Sequence, residues 1–111
     1  MKLSWQEHDQ VSVLSVGGDF IAGDVEAFRK SVRSRFEGQT RDFVLEMSAL
    51  EFIDSAGLES LIWMQDMLAE QLGQVCLADV QEDVQTILEM TRLLGRFERY
   101  ADVEAAMAGL N

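Results

Sequence analysis

Few residues of this chain are equipped for chemistry, and they do not converge. Its 111 residues include one histidine, His8, one cysteine, Cys76, and 20 carboxylates. Acid–base or nucleophilic catalysis needs a reactive group beside a matched base. His8 lies among polar residues near the N-terminus and reads as a surface side chain. Cys76 lies in the apolar run Val75-Cys76-Leu77-Ala78 and reads as a small buried side chain. A lone cysteine closes no internal disulfide, and one Cys with one His provides no metal-ligand spacing. The pair Gly17-Gly18 is too short to cradle a phosphate and has no Lys-Ser/Thr after it. Ser55 lies outside any Gly-x-Ser-x-Gly elbow. With 20 acids in 111 residues, neighbouring carboxylates arise by chance. These patterns predict no metal, no cofactor and no enzyme, and leave a binding module.

The residue that remains is Ser55, within Phe52-Ile53-Asp54-Ser55-Ala56-Gly57-Leu58. Before it, Phe43-Val44-Leu45-Glu46-Met47 reads as a buried strand. After it the period changes to that of a helix, over about 56–71. Asp54 and Ser55 stand at the helix entrance, and both are good N-cap residues, because a side-chain oxygen accepts from the free N–H groups of the first turn. Two readings stand: a cap and nothing more, or a hydroxyl presented to a partner.

The surrounding elements follow from periodicity. Leu3 to His8 and Val11 to Val16 read as a hairpin closed by Asp9-Gln10, with Val11 and Val13 on one face and Leu14 and Val16 on the other. Gly17-Gly18 is expected to end the second strand. Asp24 is placed to cap a helix whose apolar positions are Val25, Phe28, Val32 and Phe36, closed by Gly38. Gln39-Thr40-Arg41 leads into the strand Asp42 to Met47, and Ser48 to Glu51 reads as a turn. Gly73 is expected to stop the helix after Ser55. Val75 to Ala78 reads as a buried strand, and Asp79-Val80-Gln81-Glu82 has capping-box spacing ahead of a helix with Val84, Ile87, Leu88 and Thr91. Phe97 to Tyr100 reads as a short edge strand, and Asp102 as the cap of a last helix with Val103, Ala106, Met107 and Leu110. The alternation predicts one α/β domain over residues 1–111. Its mixed sheet has four to five strands and about four amphipathic helices, packed mainly on one face.

On the helix after Ser55 the expected core stripe is Leu58, Leu61, Ile62, Leu68 and Leu72. Trp63 and Met67 fall roughly opposite it and Met64 on its flank, beside Glu59, Ser60 and Glu70. A Trp–Met pair away from the core stripe marks either a partner interface or a face covered by the helix that carries Val84 and Leu88 or by a second copy. The net charge of −11 disfavours nucleic acid and direct contact with an anionic membrane. The N-terminal residues lack the apolar core of a signal peptide, and no apolar run is long enough to span a bilayer. The cytoplasm is the expected compartment.

The stretch Phe43 to Leu61, centred on Phe-Ile-Asp-Ser-Ala-Gly-Leu, resembles the STAS domain of bacterial anti-sigma factor antagonists. Val80-Gln81-Glu82-Asp83-Val84 resembles the family's Val-Ser-Pro-Glu-Val, and Ile87 through Leu93 its Val-Leu-Glu-Leu-Thr-Gly-Leu. Phe97 through Met107 resembles its closing strand and helix. Gly18-Asp19-Phe20-Ile21 sits where the family has Gly-Glu-Leu-Asp. The resemblance implies a STAS fold and a cytoplasmic partner-switching regulator. In such proteins the serine after the aspartate, here Ser55, is phosphorylated by an anti-sigma factor with serine kinase activity. The unphosphorylated form binds that kinase, and a metal-dependent serine phosphatase resets the circuit. The partner-binding surface it implies here comprises Asp19, Ile21, Asp54, Ala56, Gly57, Glu59, Ser60, Trp63, Met64 and Met67. A weak homodimer is compatible with it. The alternative is a non-enzymatic scaffold or accessory subunit of a transport or stress-signalling complex. The chain departs from the pattern at Ile21 (family Asp), Glu59 (often Gly), Gln81 and Glu82 (Ser-Pro) and Arg92 (Gly).

Overall fold

The computed structural model describes residues 1–8, 10–38 and 40–110. Asp9 of the expected hairpin turn and Gln39 of the expected connection lie outside the described residues. In chain order the elements are β1 (Lys2–His8), β2 (Val11–Phe20), a 3-10 turn (Ala22–Asp24), α1 (Val25–Glu37), β3 (Asp42–Glu46) and β4 (Leu50–Ile53). They continue with α2 (Ser55–Glu70), β5 (Gln74–Ala78), α3 (Glu82–Met90), a second 3-10 turn (Leu94–Arg96), β6 (Arg99–Tyr100) and α4 (Val103–Leu110).

The strands form a mixed sheet in the order β1-β2-β3-β5-β6, with β4 paired to the far end of β2. β1 is antiparallel to β2, and the remaining pairings are parallel. Alternation along β2 sorts its side chains as expected. Leu14 and Val16 enter one core with Phe43, Leu45 and Leu77, whereas Val11 and Val13 join Val44, Cys76 and Ala78 on the other face. α1, α2 and α3 cover the first face through Phe28, Val32, Leu58, Leu61, Met64, Leu68, Val84 and Leu88. α4 alone covers the second, through Ala106 with Val103, Met107 and Leu110. Phe20 and Phe28 pack with ring centroids 4.7 Å apart. Burial of each such side chain contributes about 1.5–3 kcal/mol, so the joint between the end of β2 and α1 is well anchored.

Several local expectations are corrected. The sheet has six strands, because Leu50–Ile53 forms β4 and takes in Leu50 and Glu51 of the expected turn Ser48 to Glu51. β2 does not end at Gly17-Gly18. It runs on to Phe20, with Gly18 at φ +81° where the register against β4 shifts. Asp24 is the N-cap residue of α1 as expected, but its side chain makes no cap bond there: its carboxylate accepts from Ile21 N–H at 3.2 Å, closing the preceding 3-10 turn. The start of α3 carries no capping box. Gln81 is the N-cap residue, and its side-chain amide donates back to Asp79. The left-handed residue after α2 is Leu72 at φ +62°, not Gly73, and its side chain lies in solvent at 95% exposure rather than in the core stripe. Gly73 instead permits close approach, since a Cβ there would stand 2.4 Å from Arg41 O. By contrast Asp102 caps α4 as expected, accepting from Ala105 N–H at 2.8 Å.

Candidate functional site

Ser55 opens α2 and is exposed. The true N-cap is Asp54, whose backbone is extended and whose Oδ1 accepts from Gly57 N–H at 2.9 Å. Ser55 is therefore the first helical residue, and among the described residues its hydroxyl forms no hydrogen bond. The reading of Ser55 as a cap is corrected accordingly. Two Asx-type bonds explain the division of labour. Asp54 Oδ2 also accepts from Ala22 N–H at 3.0 Å, across 32 positions of sequence. Asp54 N–H in turn donates to Phe20 O at 3.1 Å. One carboxylate thus caps the helix and ties the β2–α1 turn to the helix entrance, leaving the neighbouring hydroxyl outward.

Substituting Asp54 should separate these two bonds. Asp54→Ala strands both backbone donors and is expected to cost about 2 kcal/mol, in line with cap loss plus an unsatisfied N–H. Asp54→Asn retains one acceptor oxygen and should recover about half of that. Urea unfolding of the three proteins measures it, and equal midpoints for wild type and Asp54→Ala would show that the bonds contribute nothing.

The structure brings together only part of the expected partner surface. Asp19, Ile21, Ser55 and Glu59 are exposed, and Asp54 and Ala56 are half-buried around them. Gly57, Ser60 and Met64 are buried, and this overturns their placement on a partner surface. Their reason is that α2 packs on the sheet at β4 and β5 and also against α1: it is buried on two sides, so the apolar sector is wider than one stripe. Ser60 spends its hydroxyl on Ala56 O at 3.1 Å. Trp63 and Met67 pack half-buried against the rim of the core, with Arg29 and Arg33 of α1 over the Trp63 ring. The expected cover of that pair by the helix carrying Val84 and Leu88 is corrected: the side chains over Trp63 come from α1.

Phe52 was not singled out as a surface residue. It is 46% exposed, as is Ile21 at 43%. Gly18 pairs with Leu50 and Asp19 with Phe52, so Glu51 is an extra residue in β4. This bulge breaks the alternation and turns Phe52 outward. A bulge that depends on the partner strand leaves no signal in the local sequence.

Cys76 is buried, and its thiol is pushed up from an ordinary 9.0 to about 11, first by desolvation and then by Glu98 and Asp42. A raised folded-state value means stability is intact below about pH 9 and falls as pH rises from about 9 to about 11, where the unfolded chain ionises first. Cys76→Ala should flatten that part of the pH–stability curve. At neutral pH a thiol reagent should label wild type only after unfolding.

Among the described residues no cluster of His, Cys, Asp or Glu could hold a metal ion, and no helix is long and apolar enough to cross a membrane. What the arrangement offers is a recognition surface. An exposed, unengaged hydroxyl stands at a helix N-terminus, next in sequence to the Asp54 carboxylate, and Ile21 and Phe52 are exposed apolar side chains on the adjoining segments.

Fold and site together define a class: a small α/β domain with a mixed sheet that presents a serine at the start of a helix. The chain belongs to the STAS domain family, whose sequence profile matches residues 2–106. It is 24% identical over 108 residues to BtrV of Bordetella bronchiseptica, whose name assigns it to the anti-sigma factor antagonists; the match covers 97% of this chain and 93% of BtrV. A Thermotoga maritima crystal structure named for the same class superposes with a TM-score of 0.90 at 21% identity, covering 96% of this chain and 92% of that one. The anti-sigma factor antagonist SpoIIAA in its unphosphorylated form superposes with a TM-score of 0.84 at 20% identity, covering 98% and 96%. The phosphorylated form of SpoIIAA, from Bacillus, superposes at 0.78 with 18% identity, covering 99% and 100%.

Proposed function

We propose that this protein is an anti-sigma factor antagonist of a partner-switching circuit. The unphosphorylated form binds an anti-sigma factor that is also a serine kinase, and phosphorylation of Ser55 releases it. A metal-dependent serine phosphatase returns Ser55 to its free hydroxyl. The observation that carries this reading is the unengaged Ser55 hydroxyl beside an Asp54 that performs the capping by itself. A hydroxyl already committed to the first turn would have to give up its bond to be modified. Here the modification leaves the fold's own contacts in place. The phosphorylated state of SpoIIAA supports the assignment by analogy of fold. The exposed Ile21 and Phe52, on the segments that lead to the helix entrance, offer apolar contacts to a partner. In this circuit the protein acts by binding, in the compartment where the kinase meets its ATP.

The test is incubation with the cognate serine kinase and labelled ATP. One phosphate per chain is expected, located on Ser55 by mass spectrometry and absent from Ser55→Ala. Label elsewhere, or label retained by Ser55→Ala, would sink the assignment. If wild type, Ser55→Ala and Ser55→Glu all retain the same partners, the scaffold reading takes its place.

A further inference from the structure

We propose that Arg29, Arg33 and Trp63, on the α1–α2 face, form a docking site for a carboxylate side chain of an acidic segment on a partner protein. Two guanidinium groups stack on the one indole, Arg29 at 5.1 Å and Arg33 at 5.2 Å from the ring centroid. Each cation is attracted to the ring but repels the other, so an anion placed between them gains from both. The chain has 20 acids against 9 bases, so counter-ions are plentiful. Even so, among the described residues the side-chain ion pairs are Arg35–Glu7 and Arg96–Asp66. Glu26, Glu37 and Glu59 each lie about one helical turn from members of the bracket, and none pairs with it. Arg29 Nε is buried without an acceptor.

The contrast with the other indole is instructive. Arg35 lies over Trp5 at 4.9 Å, and there Glu7 neutralises it while Trp5 Nε1–H donates to Ser31 Oγ at 2.7 Å. Arg41 lies over Phe36 at 4.3 Å and donates to the carbonyls of Phe36 and Thr40. Among the described residues only the Trp63 bracket carries two cations and no acceptor. α1 as a whole bears four of the nine basic residues against two acids, so it is a positive stripe on a strongly negative domain. An isolated positive stripe steers an acidic surface and orients it, while the surrounding charge repels it elsewhere. A carboxylate entering between the two planar forks can accept charge-assisted bonds from both. Nucleic acid fits the bracket poorly, because phosphates beyond it would face the −11 domain.

The bracket lies near the serine. Trp63 is two turns beyond Ser55 on α2, about 12 Å along the helix axis and about 80° round it. A partner that covers Ser55 and extends along the α1 side of α2 therefore reaches the bracket. The carboxylate site itself does not depend on phosphorylation of Ser55.

The probe is a blocked hexaglutamate peptide, followed by the two indole N–H signals in NMR. Trp63 should move saturably and Trp5 should stay, with sodium acetate at matched carboxylate concentration giving at most about a tenth of the shift. Arg33→Gln should weaken the peptide by about fivefold or more, and Arg33→Lys by less. Raising salt to about 0.5 M should abolish the response. No movement of Trp63, an equal response to acetate, or undiminished binding by a folded Arg33→Gln overturns the proposal. No kinase enters this titration, so its failure is separable from failure of the partner-switching reading.

Discussion

Gly57→Ala should destabilise the domain by about 2 kcal/mol or more, the largest expected effect of any single methyl group at the helix entrance. A Cβ at Gly57 would stand 2.6 Å from both Ile53 Cγ1 and Phe20 O, and 3.1 Å from Phe20 Cγ. None of these atoms can yield cheaply. Phe20 O already accepts Asp54 N–H, and the Phe20 ring is fully buried against Phe28. Alanine gains about 1 kcal/mol over glycine in helix propensity, which sets the scale the clash must exceed. Moving the first turn of α2 outward would relieve it, but would stretch both Asp54 bonds. The control is Gly23→Ala, where a Cβ meets nothing within 4 Å and which should change stability by less than about 0.5 kcal/mol. In urea the Gly57→Ala midpoint should fall by about 1 M. A midpoint equal to wild type would mean that α2 does not sit this close to β2.

The same glycine shows how far the chain can be read without its structure. The alternation in β2, the helical faces of α1 and α4 and the cap at Asp102 were legible because each rests on residues a few positions apart. The Asp54-Ser55 motif was legible as a helix entrance for the same reason. What was not legible depends on contacts across the sheet. The Asp54–Ala22 bond spans 32 residues, and it decides which of two good capping residues caps. Burial of Ser60 and Met64 follows from α2 packing on both the sheet and α1, and a wheel drawn on α2 alone cannot know that. The bulge that exposes Phe52 exists only as a mismatch between β2 and β4. Leu72 lies beyond the last helical residue, so its periodicity was accidental: the chain has left the helix and adopted φ +62°. Local pattern therefore located the site, and non-local contacts chose its members.

A charge on Ser55 should weaken binding to the partner kinase by roughly a hundredfold while leaving the domain folded. Phosphate adds about −1.5 to −2 charge at neutral pH. The N–H groups of the first turn and the helix dipole favour it by about 0.3–2 kcal/mol, and this favourable term acts within the free protein. Against it stand Asp54, Glu59 and the domain's net −11, with no Lys or Arg within ten residues on either side of Ser55 to absorb the charge. These opposing terms are exposed and screened, so unfolding midpoints of Ser55→Glu and wild type should agree within about 1 kcal/mol. The cost falls at the interface. A surface complementary to a small hydroxyl must desolvate the added charge without a cation on this side to receive it. About 3 kcal/mol of uncompensated desolvation gives the hundredfold loss. Ser55→Ala removes only a hydroxyl that forms no bond in the domain, so its affinity should stay within about threefold of wild type. Calorimetric titration of the three proteins into the purified kinase, with unfolding curves run in parallel, separates the two effects. If Ser55→Glu bound as tightly as Ser55→Ala, charge at this position would not be the switch, and release would have to come from a rearrangement of the Ala22–Asp54 joint instead.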